Sequence, residues 1–412
     1  MHKVFTDFVD IAAGFLREIP HTTMDLTEDF TEIDDDIIFY AVLYSSVTVV
    51  FAMAVLSKFL THEFRFGFRS VLSLIVLFLG EPLCQFFIKG PGGVLTFAVC
   101  CLLIYSVLPA SHLPVGNKAV LITGCDSGFG MALVKKLDSI GMRVYATCLN
   151  ADGPGAIALR NNCSERVCVL QLDVTNTKQV EDVVDFIQVH EGEDGLWGLV
   201  NNAGVWYFSE IEMTSDALFR KVLDINLFGT IRLTKALLPL IRRSKGRIVN
   251  VSSLLGRITM AGNGAYSVSK HGLVAFTDTL RQEMKKWGVH VAVIEPTGFY
   301  TENMKEHNIK SRKEEVWESM DESARHTYGQ LYLDTVYNSI VAGATRYPDD
   351  LTPVIRAMRS GLLSKRPRAR YPCGTGADLL TMVYPLLPVW VADKVSSVIG
   401  IMPLDARPAT LS

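Results

Sequence analysis

From Lys118 onward the sequence alternates short runs of β-branched and apolar residues with amphipathic stretches of helical length. This alternation is typical of strand–helix–strand units, whose right-handed crossovers place the strands side by side in a parallel sheet. It predicts an α/β fold with a Rossmann-like, doubly wound parallel sheet. Six strands are predicted, at Lys118–Thr123, Arg143–Leu149, Val167–Leu172, Gly198–Asn201, Gly246–Val251 and His290–Glu295.

After about residue 300 the sequence becomes loop-rich and helical, which we interpret as a lid over the carboxyl ends of the strands, where such sheets bind ligands. Farther on, the basic run "SKRPRAR" (Ser364–Arg370) precedes an apolar stretch, Leu379–Met402. Two interpretations stand side by side. The stretch lies in the membrane interface beside anionic headgroups, or it packs as a C-terminal helix on the preceding domain.

Long uncharged segments precede the sheet. Ile37–Ser57 and Gly90–Ala110 each hold 21 residues without a formal charge, about the length that spans a hydrocarbon core as a helix. A third apolar run between them, Val71–Ile88, contains Glu81 and Pro82, so it either spans the membrane or only dips into it. We therefore expect N-terminal transmembrane helices ahead of the α/β domain.

The first 36 residues carry ten acidic residues against Lys3 and Arg17, which is unlike an Arg-rich, acid-poor mitochondrial presequence. Cations after the first span place that loop in the cytosol, so the rest of the chain is cytosolic with three spans and on the opposite side with two. We expect an integral membrane protein of the endoplasmic reticulum or, as the alternative, of a mitochondrial membrane. The predicted domains are an acidic segment 1–36, a membrane-anchoring region 37–110, an α/β domain 113–375 and an apolar C-terminal segment 376–412.

Composition narrows the possible partners. Forty Lys and Arg residues against 43 Asp and Glu residues give a net charge of -3, so nothing favours a nucleic-acid partner. The eight cysteines form no CxxC pair and no Cys/His spacing suited to a tetrahedral metal site, so we expect reduced thiols and no metal.

The first predicted strand runs into "LITGCDSGFG" (Leu121–Gly130). Its glycines have the roles that a dinucleotide site needs: Gly124 for a tight turn, Gly128 for close approach of backbone to a pyrophosphate, and Gly130 at the start of a helix whose amides favour an anion. Asp126 stands inside this loop, where its charge would repel the additional phosphate of NADP. Asp152 lies about twenty residues past the glycines, as the ribose-binding acid of an NAD site should, and no Arg or Lys directly follows the second strand. We predict NAD as the cofactor.

Tyr266 and Lys270, in "YSVSK", are four residues apart and so project from one face of a helix. A lysine cation beside a phenol favours the phenolate, which predicts a lowered pKa for Tyr266 and a role as base toward an alcohol. Ser253, at the end of a predicted strand, is placed to hydrogen-bond the reacting oxygen. Asn226, in "DINLFGT", is the predicted end of a relay to solvent.

From about Leu113 to Arg370 the chain resembles the short-chain dehydrogenase/reductase family. The motifs that carry the resemblance occur in the family's order, as "TGCDSGFG", "LDV" (Leu172–Val174), "NNAG" (Asn201–Gly204), Asn226, "VSS" and "YSVSK". The resemblance implies a catalytic tetrad of Asn226, Ser253, Tyr266 and Lys270, with Lys270 also binding the nicotinamide ribose, and it suggests a homodimer through the helix that carries Tyr266. The expected cofactor-binding residues are Gly124, Asp126, Ser127, Gly128, Phe129, Gly130, Asp173 at the adenine, Asn201, Ala203, Gly204, Tyr266, Lys270 and Thr301.

One departure affects the last of these residues. The family usually has Pro-Gly after its sixth strand, whereas here Thr297 stands between Pro296 and Gly298. The loop that leads to Thr301, expected to face the nicotinamide amide, is therefore expected to have its own shape.

Within the family, the sequence resembles a membrane-associated branch that contains type 2 estradiol 17-beta-dehydrogenase, retinol dehydrogenases and D-3-hydroxybutyrate dehydrogenase. This implies NAD-dependent oxidation of a secondary alcohol on a hydrophobic, steroid- or retinoid-like substrate, with oxidation of D-3-hydroxybutyrate as the alternative. The aromatic run "VWYF" (Val205–Phe208) after the NNAG motif, with no Arg or Lys in it to bind a carboxylate, favours the hydrophobic substrate; core packing is the other explanation for this run. A catalytically silent NAD-binding membrane module is the non-enzyme alternative.

Overall fold

The computed structural model describes residues 35–60, 68–88, 90–107, 112–400 and 407–411. The chain divides into two compact units, Met1–Pro109 and Ala110–Ser412. The predicted acidic segment 1–36 lies, except for its last two residues, outside the described residues.

The described part of the first unit consists of three apolar helices, α1 (Asp35–Leu60), α2 (Phe68–Phe87) and α3 (Pro91–Val107). Among the described residues, one stretch of 18 residues, Phe39–Leu56 in α1, is long and apolar enough to cross a membrane. α3, expected to span with 21 residues, is a helix of 17. α2 continues through Pro82, and its Glu81 accepts a hydrogen bond of 2.6 Å from Thr48 of α1.

The second unit confirms the predicted Rossmann-like, doubly wound α/β fold. Its sheet has seven parallel strands in the order β3-β2-β1-β4-β5-β6-β7. The strands are β1 (Ala119–Ile122), β2 (Arg143–Cys148), β3 (Val167–Gln171), β4 (Gly198–Asn201), β5 (Arg247–Val251), β6 (His290–Pro296) and β7 (Arg370–Cys373). The helices between them are α4 (Gly128–Ser139), α5 (Pro154–Asn162), α6 (Thr177–Glu191), α7 (Asp216–Leu223), α8 (Thr230–Arg243), α9 (Gly264–Met284), α10 (Glu306–Ser319), α11 (Glu322–Ala344) and α12 (Thr352–Leu363), and α13 (Ala377–Val383) and α14 (Val389–Ile399) follow β7.

The six predicted strands are all present. Each strand end agrees with its prediction or differs from it by one residue, and β1 is shorter by one residue at both ends. The seventh strand, β7, was not predicted because "RYPC" is short and contains Pro372. A proline in a strand is tolerated at a sheet edge, which is where β7 lies.

Helices cover both faces of the sheet. α4, α5 and α12 bury their apolar side chains on one face, and α6, α8 and α9 bury theirs on the other. A third apolar cluster lies apart from both, and in it α7, α10 and α11 pack around Tyr207 and Phe208. The chain order changes direction between β1 and β4, so a ligand crevice is expected at the carboxyl ends of these two strands.

Candidate active site

The glycine loop joins β1 to α4 and has the shape of a cradle. Gly124 and Gly128 have φ values of 67° and 55°, which L side chains rarely adopt. A Cβ on Gly124 would lie 2.9 Å from Cα of Ala203, so the two loops touch backbone to backbone. The Ser127 side chain makes no capping hydrogen bond to the first turn of α4. The backbone amides of that turn are therefore left facing the loop. These features fit the pyrophosphate of a dinucleotide.

The NNAG turn after β4 holds the glycine loop in place through hydrogen bonds. Asn202 donates hydrogen bonds of 2.9 and 3.0 Å to the carbonyls of Thr123 and Gly124, and Oγ1 of Thr123 accepts from the amides of Asn202 and Ala203, each at 2.9 Å. Asn202 was not among the predicted site residues, although the doubled asparagine in "NNAG" marks it. The Asn201 side chain points into the interior, where it donates to Asn250 and Thr234.

Asp126 connects the glycine loop to the end of β2. Its carboxylate accepts hydrogen bonds from the amides of Leu149 at 3.1 Å and Asn150 at 3.5 Å. A negative charge therefore lies at the carboxyl end of β2, where an NAD site needs a partner for the ribose hydroxyl. Asp152 is exposed in the turn that follows.

No Arg or Lys directly follows β2 in the sequence, but a cation from farther along the chain lies near the end of this strand. Arg160, on α5, reaches back and donates a hydrogen bond of 2.6 Å to the carbonyl of Ala151. The pKa of Cys148 is raised to about 12, mainly by burial; the Asp126 charge also raises it, and the Arg160 charge acts in the opposite direction. Both charges are thus felt at the same strand end, and the sequence did not show Arg160 because it lies a whole helix away.

Tyr266 and Lys270 project from the first two turns of α9, as predicted. Lys270 is 4% exposed, and its Nζ donates a hydrogen bond of 2.9 Å to the carbonyl of Val251, the last residue of β5. The same nitrogen lies 5.6 Å from the centroid of the Tyr266 ring. Burial lowers the pKa of Lys270 to about 8.

The lowered pKa expected for Tyr266 is corrected by its surroundings. Burial raises the pKa of this phenol to about 12, and a hydrogen bond with Ser253 lowers it only in part. Desolvation disfavours the phenolate and is the largest influence on the pKa of this buried phenol. Ser253 follows β5 and accepts a hydrogen bond of 3.1 Å from the amide of Leu255, which fixes its hydroxyl beside Tyr266.

Asn226 lies fully buried in a π-helical segment, Asp224–Gly229, between α7 and α8. Single π-helical turns are rare and frequently occur at functional sites. Its side chain accepts from the amide of Val205 at 2.8 Å and donates to the Val205 carbonyl at 2.9 Å. A Cβ on Gly204 would lie 3.2 Å from Oδ1 of Asn226 and 3.6 Å from Nζ of Lys270. Gly204 thus lies between two members of the tetrad, and an added side chain there would crowd Asn226.

Two further predicted residues differ in what they contact. Thr301 lies beside the glycine loop, since a Cβ on Gly128 would be 3.7 Å from its Cβ. Asp173 accepts hydrogen bonds from the amide and hydroxyl of Thr175, at 2.9 and 2.7 Å, and so stabilises the turn after β3. Thr297, the departure from the family pattern, donates its amide to the carbonyl of Cys373 at 2.9 Å and packs against the loop after β7.

The aromatic run after NNAG divides into core residues and one residue that lies beside the site. Tyr207 and Phe208 are buried in the third cluster and are core residues. Trp206 is only partly buried, and its Nε1 donates a hydrogen bond of 2.8 Å to Asn263, the residue just before α9. Trp206 is thus held next to the first turn that carries Tyr266.

No Arg or Lys occurs in the run itself, but two cations lie on helices that pack near it, one on α7 and one on α10 of the lid. Lys221 of α7 contacts Glu315 of α10 and lies 5.5 Å from the Tyr207 ring centroid. Arg312 of α10 donates hydrogen bonds of 2.8 and 2.9 Å to the carbonyl and side chain of Asn303. Both cations hold the lid together, and no local sequence signal placed them here.

The chain belongs to the short-chain dehydrogenase family, whose sequence pattern it matches over residues 118–312, and it is an oxidoreductase acting on CH–OH groups. It is 37% identical over 340 residues to 11-beta-hydroxysteroid dehydrogenase type 2 of Ovis aries, covering 82% of this chain and 80% of the relative. It is 40% identical over 299 residues to estradiol 17-beta-dehydrogenase 2 of Mus musculus, with 72% and 78% covered. The mitochondrial D-beta-hydroxybutyrate dehydrogenase of Bos taurus is 42% identical over 269 residues, with 64% and 78% covered.

Among solved structures, a short-chain dehydrogenase from Streptomyces avermitilis superposes with a TM-score of 0.54 at 26% identity, over 70% of this chain and all of that chain. The family uses a nicotinamide dinucleotide, NAD or NADP, and the glycine loop, the α4 amides and Gly204 fit such a group.

Proposed function

We propose that this protein is a membrane-attached enzyme that oxidises a secondary alcohol on a hydrophobic, steroid- or retinoid-like substrate with NAD. The observation that carries the proposal is the convergence of Ser253, Tyr266, Lys270 and Asn226 at the carboxyl edge of the sheet, directly beside the cradle of the glycine loop. The named activities of the hydroxysteroid dehydrogenase relatives support the substrate class.

Each residue of the tetrad has a task that its contacts allow. Ser253 orients the substrate oxygen, because its hydroxyl is fixed beside the Tyr266 phenol. Tyr266 takes the hydroxyl proton, and Lys270, held on the Val251 carbonyl, stabilises the phenolate that this requires. Asn226 fixes the backbone of Val205 at the floor of the site. When bound, NAD supplies the acceptor for the hydride that leaves the carbinol carbon.

The choice of NAD rests on Asp126. Its carboxylate sits at the end of β2, where it binds a ribose hydroxyl well and disfavours a phosphate. Arg160 is nearby, but its guanidinium is bound to the Ala151 carbonyl. We therefore expect a lower KM for NAD than for NADP, and the reverse order would contradict the assignment.

D-3-hydroxybutyrate is the second candidate substrate, because the bovine hydroxybutyrate dehydrogenase is 42% identical. A carboxylate needs a fixed cation beside the reacting carbon. The two cations near the aromatic run, Lys221 of α7 and Arg312 of α10, are both held by contacts within the protein, which favours the hydrophobic substrate. Membranes that contain the protein, supplied with NAD and a panel of a steroid alcohol, retinol and D-3-hydroxybutyrate, decide between the candidates. A silent NAD-binding module would oxidise none of them.

Two assembly features complete the proposal. The helix Phe39–Leu56 would attach the enzyme to a membrane of the endoplasmic reticulum or, as the alternative, of mitochondria. A homodimer through α9 is supported by two large apolar side chains near the site, Val268 on α9 and Phe228 on the π-helical segment, each 51% exposed. Cross-linking of the full-length protein in detergent tests the dimer.

A further inference from the structure

The helices after β7 turn an apolar surface outward. In α13 and the turn after it, Leu379, Met382, Val383 and Leu386 are exposed at the spacing i, i+3, i+4 and i+7, which is one face of a helix. Ala377 and Thr381 of the same helix are buried. A helix on a soluble surface normally shows the opposite arrangement, with its apolar stripe toward the core.

α14 extends this surface. Val389 and Trp390, in its first turn, are 77% and 76% exposed, and Leu386 just before them is 79% exposed. The hydroxyl of Tyr384 lies 2.9 Å from Oγ of Ser396, so α14 is fixed to the turn that precedes it. We call the six residues Leu379, Met382, Val383, Leu386, Val389 and Trp390 the C-terminal apolar face.

The sheet places this face at the edge where the active site opens. β7 is parallel to β6, so α13 follows from the same edge as the loop that begins at Thr297. The amide of Thr297 is bonded to the Cys373 carbonyl at 2.9 Å, and four residues later Thr301 reaches the glycine loop. The apolar face therefore belongs to helices that leave the sheet at the same edge as the loop from Thr297 to Thr301.

Charge identifies the surface that this face fits. The segment from Ala377 to Ile399 holds only three charged residues, Asp378, Asp393 and Lys394, so it carries almost no net charge. The basic run Ser364–Arg370 leads into β7 and therefore lies at the amino edge of the sheet, away from the face. Its pairing with anionic headgroups beside the apolar stretch, one of the two sequence interpretations, does not match this placement. A near-neutral apolar surface with an exposed tryptophan fits the interface of a phospholipid bilayer.

We infer that the C-terminal apolar face docks on the surface of a phospholipid bilayer and sets the mouth of the active site against the lipid, so that a membrane-dissolved substrate enters without crossing water. The same chain contains a helix of membrane-spanning length, which keeps a bilayer within reach. The docking rests on the exposure and the charge of this face, and it does not depend on the proposed function. Only the substrate route rests on the proposed function.

Tryptophan fluorescence of the full-length protein in phosphatidylcholine vesicles tests the docking, because bromine atoms on the lipid chains quench only tryptophans that touch them. We expect quenching in the wild type, and most of it should disappear in Trp390→Phe. Trp287 is the matched control, since it is 45% exposed and lies at the amino edge, just before β6. Trp287→Phe should keep the quenching, and equal quenching in wild type and Trp390→Phe would overturn the inference.

A second set of measurements, on Leu386→Asn, tests whether a second copy of the chain covers the face instead and whether the substrate enters from the lipid. If Leu386→Asn converts a detergent-solubilised dimer to a monomer while Trp390 stays unquenched in vesicles, the face binds a second copy and the inference is wrong. If the inference holds, Leu386→Asn raises the KM for a steroid alcohol supplied in vesicles several-fold and leaves the kcat unchanged. The KM for a short, water-soluble secondary alcohol should not change. Absence of all turnover in the wild type would refute the proposed function, while the quenching still decides the docking.

Discussion

The cofactor side and the substrate side of the site are built in different ways. On the cofactor side, backbone groups and short side chains at strand ends hold one another, as in the bonds of Asn202 to the glycine loop and of Lys270 to Val251. On the substrate side, the loop after NNAG is held by tyrosines from α11, more than a hundred residues later in the chain. Tyr337 donates to the Phe208 carbonyl at 2.8 Å, and Tyr328 donates to Glu212 at 2.9 Å.

This difference indicates which side can change without loss of the chemistry. A backbone cradle tolerates little substitution, because a Cβ on Gly124 or Gly204 would meet neighbouring atoms at 2.9 to 3.2 Å. Besides apolar packing, the lid contacts include side-chain hydrogen bonds such as those of Tyr328 and Tyr337, each with a net value of about 1 kcal/mol. Substitutions on the cofactor side should therefore alter the reaction rate, and substitutions on the substrate side should alter substrate affinity.

The largest effect is expected from Tyr266→Phe. Removal of the hydroxyl that takes the proton should lower kcat by about 10³-fold, within the range for general acid–base catalysis. The dissociation constant for NAD, measured by titration, should stay nearly unchanged. Turnover within tenfold of the wild type would remove Tyr266 from the mechanism.

Lys270→Met should lower the rate by roughly 10²-fold and change its pH dependence. Oxidation requires the Tyr266 phenolate and the Lys270 cation together. Because their pKa values are about 12 and about 8, kcat/KM in the wild type should rise about tenfold per pH unit below pH 8 and level off above it. The levelling marks the loss of the lysine proton, so Lys270→Met should lack it. A profile of the variant that still levels near pH 8 would assign that pKa to another group.

Asp126→Asn should narrow the preference for NAD over NADP by about tenfold, since it removes a charge that repels a phosphate at close range. Arg160→Ala serves as the comparison, because it removes the opposite charge at the same strand end. That variant should widen the preference or leave it unchanged. Kinetics with both cofactors at fixed substrate check this, and an unchanged ratio in Asp126→Asn would mean that other residues select the cofactor.

The smallest effect is expected from Tyr328→Phe in the lid. Its hydroxyl holds Glu212, so its loss should raise the KM of the hydrophobic substrate about threefold to fivefold and leave kcat within a factor of two. Thr335→Val is a suitable control, since the Thr335 hydroxyl bonds only to the carbonyl of Leu331 within the same helix. A loss of kcat in Tyr328→Phe without a change in KM would contradict the division between the two sides.

The sequence located the predicted residues of the cofactor side because they belong to short motifs at the ends of strands. Gly124, Ser253, Tyr266 and Lys270 each lie where a strand ends or a helix begins, and a parallel sheet brings those positions to one edge. The fold followed from the same alternation of strands and helices. Contacts formed far along the chain could not be predicted in this way, and Arg160, Tyr328 and Arg312 carry no local signal.

The pKa of Tyr266 was predicted in the wrong direction for a related reason. Sequence spacing shows that a lysine is near, but it does not show how deeply both groups are buried. In the structure burial raises the pKa of Tyr266, only the Ser253 hydrogen bond opposes it, and burial also lowers the pKa of Lys270. The sequence also could not show where the apolar C-terminal stretch lies. In the structure β7 places the basic run at the amino edge of the sheet, and the apolar stretch follows from the carboxyl edge.

Transfer of deuterium from a labelled substrate tests whether this protein moves a hydride from a steroid alcohol to NAD with Tyr266 as the base. The full-length protein in membranes is supplied with NAD and a steroid alcohol that carries deuterium on its carbinol carbon, and NADH and the steroid are analysed by mass spectrometry. We predict deuterated NADH together with the ketone in the wild type, and almost none in Tyr266→Phe. Deuterated NADH that forms equally fast in the variant, or that forms only from labelled D-3-hydroxybutyrate, would contradict this prediction.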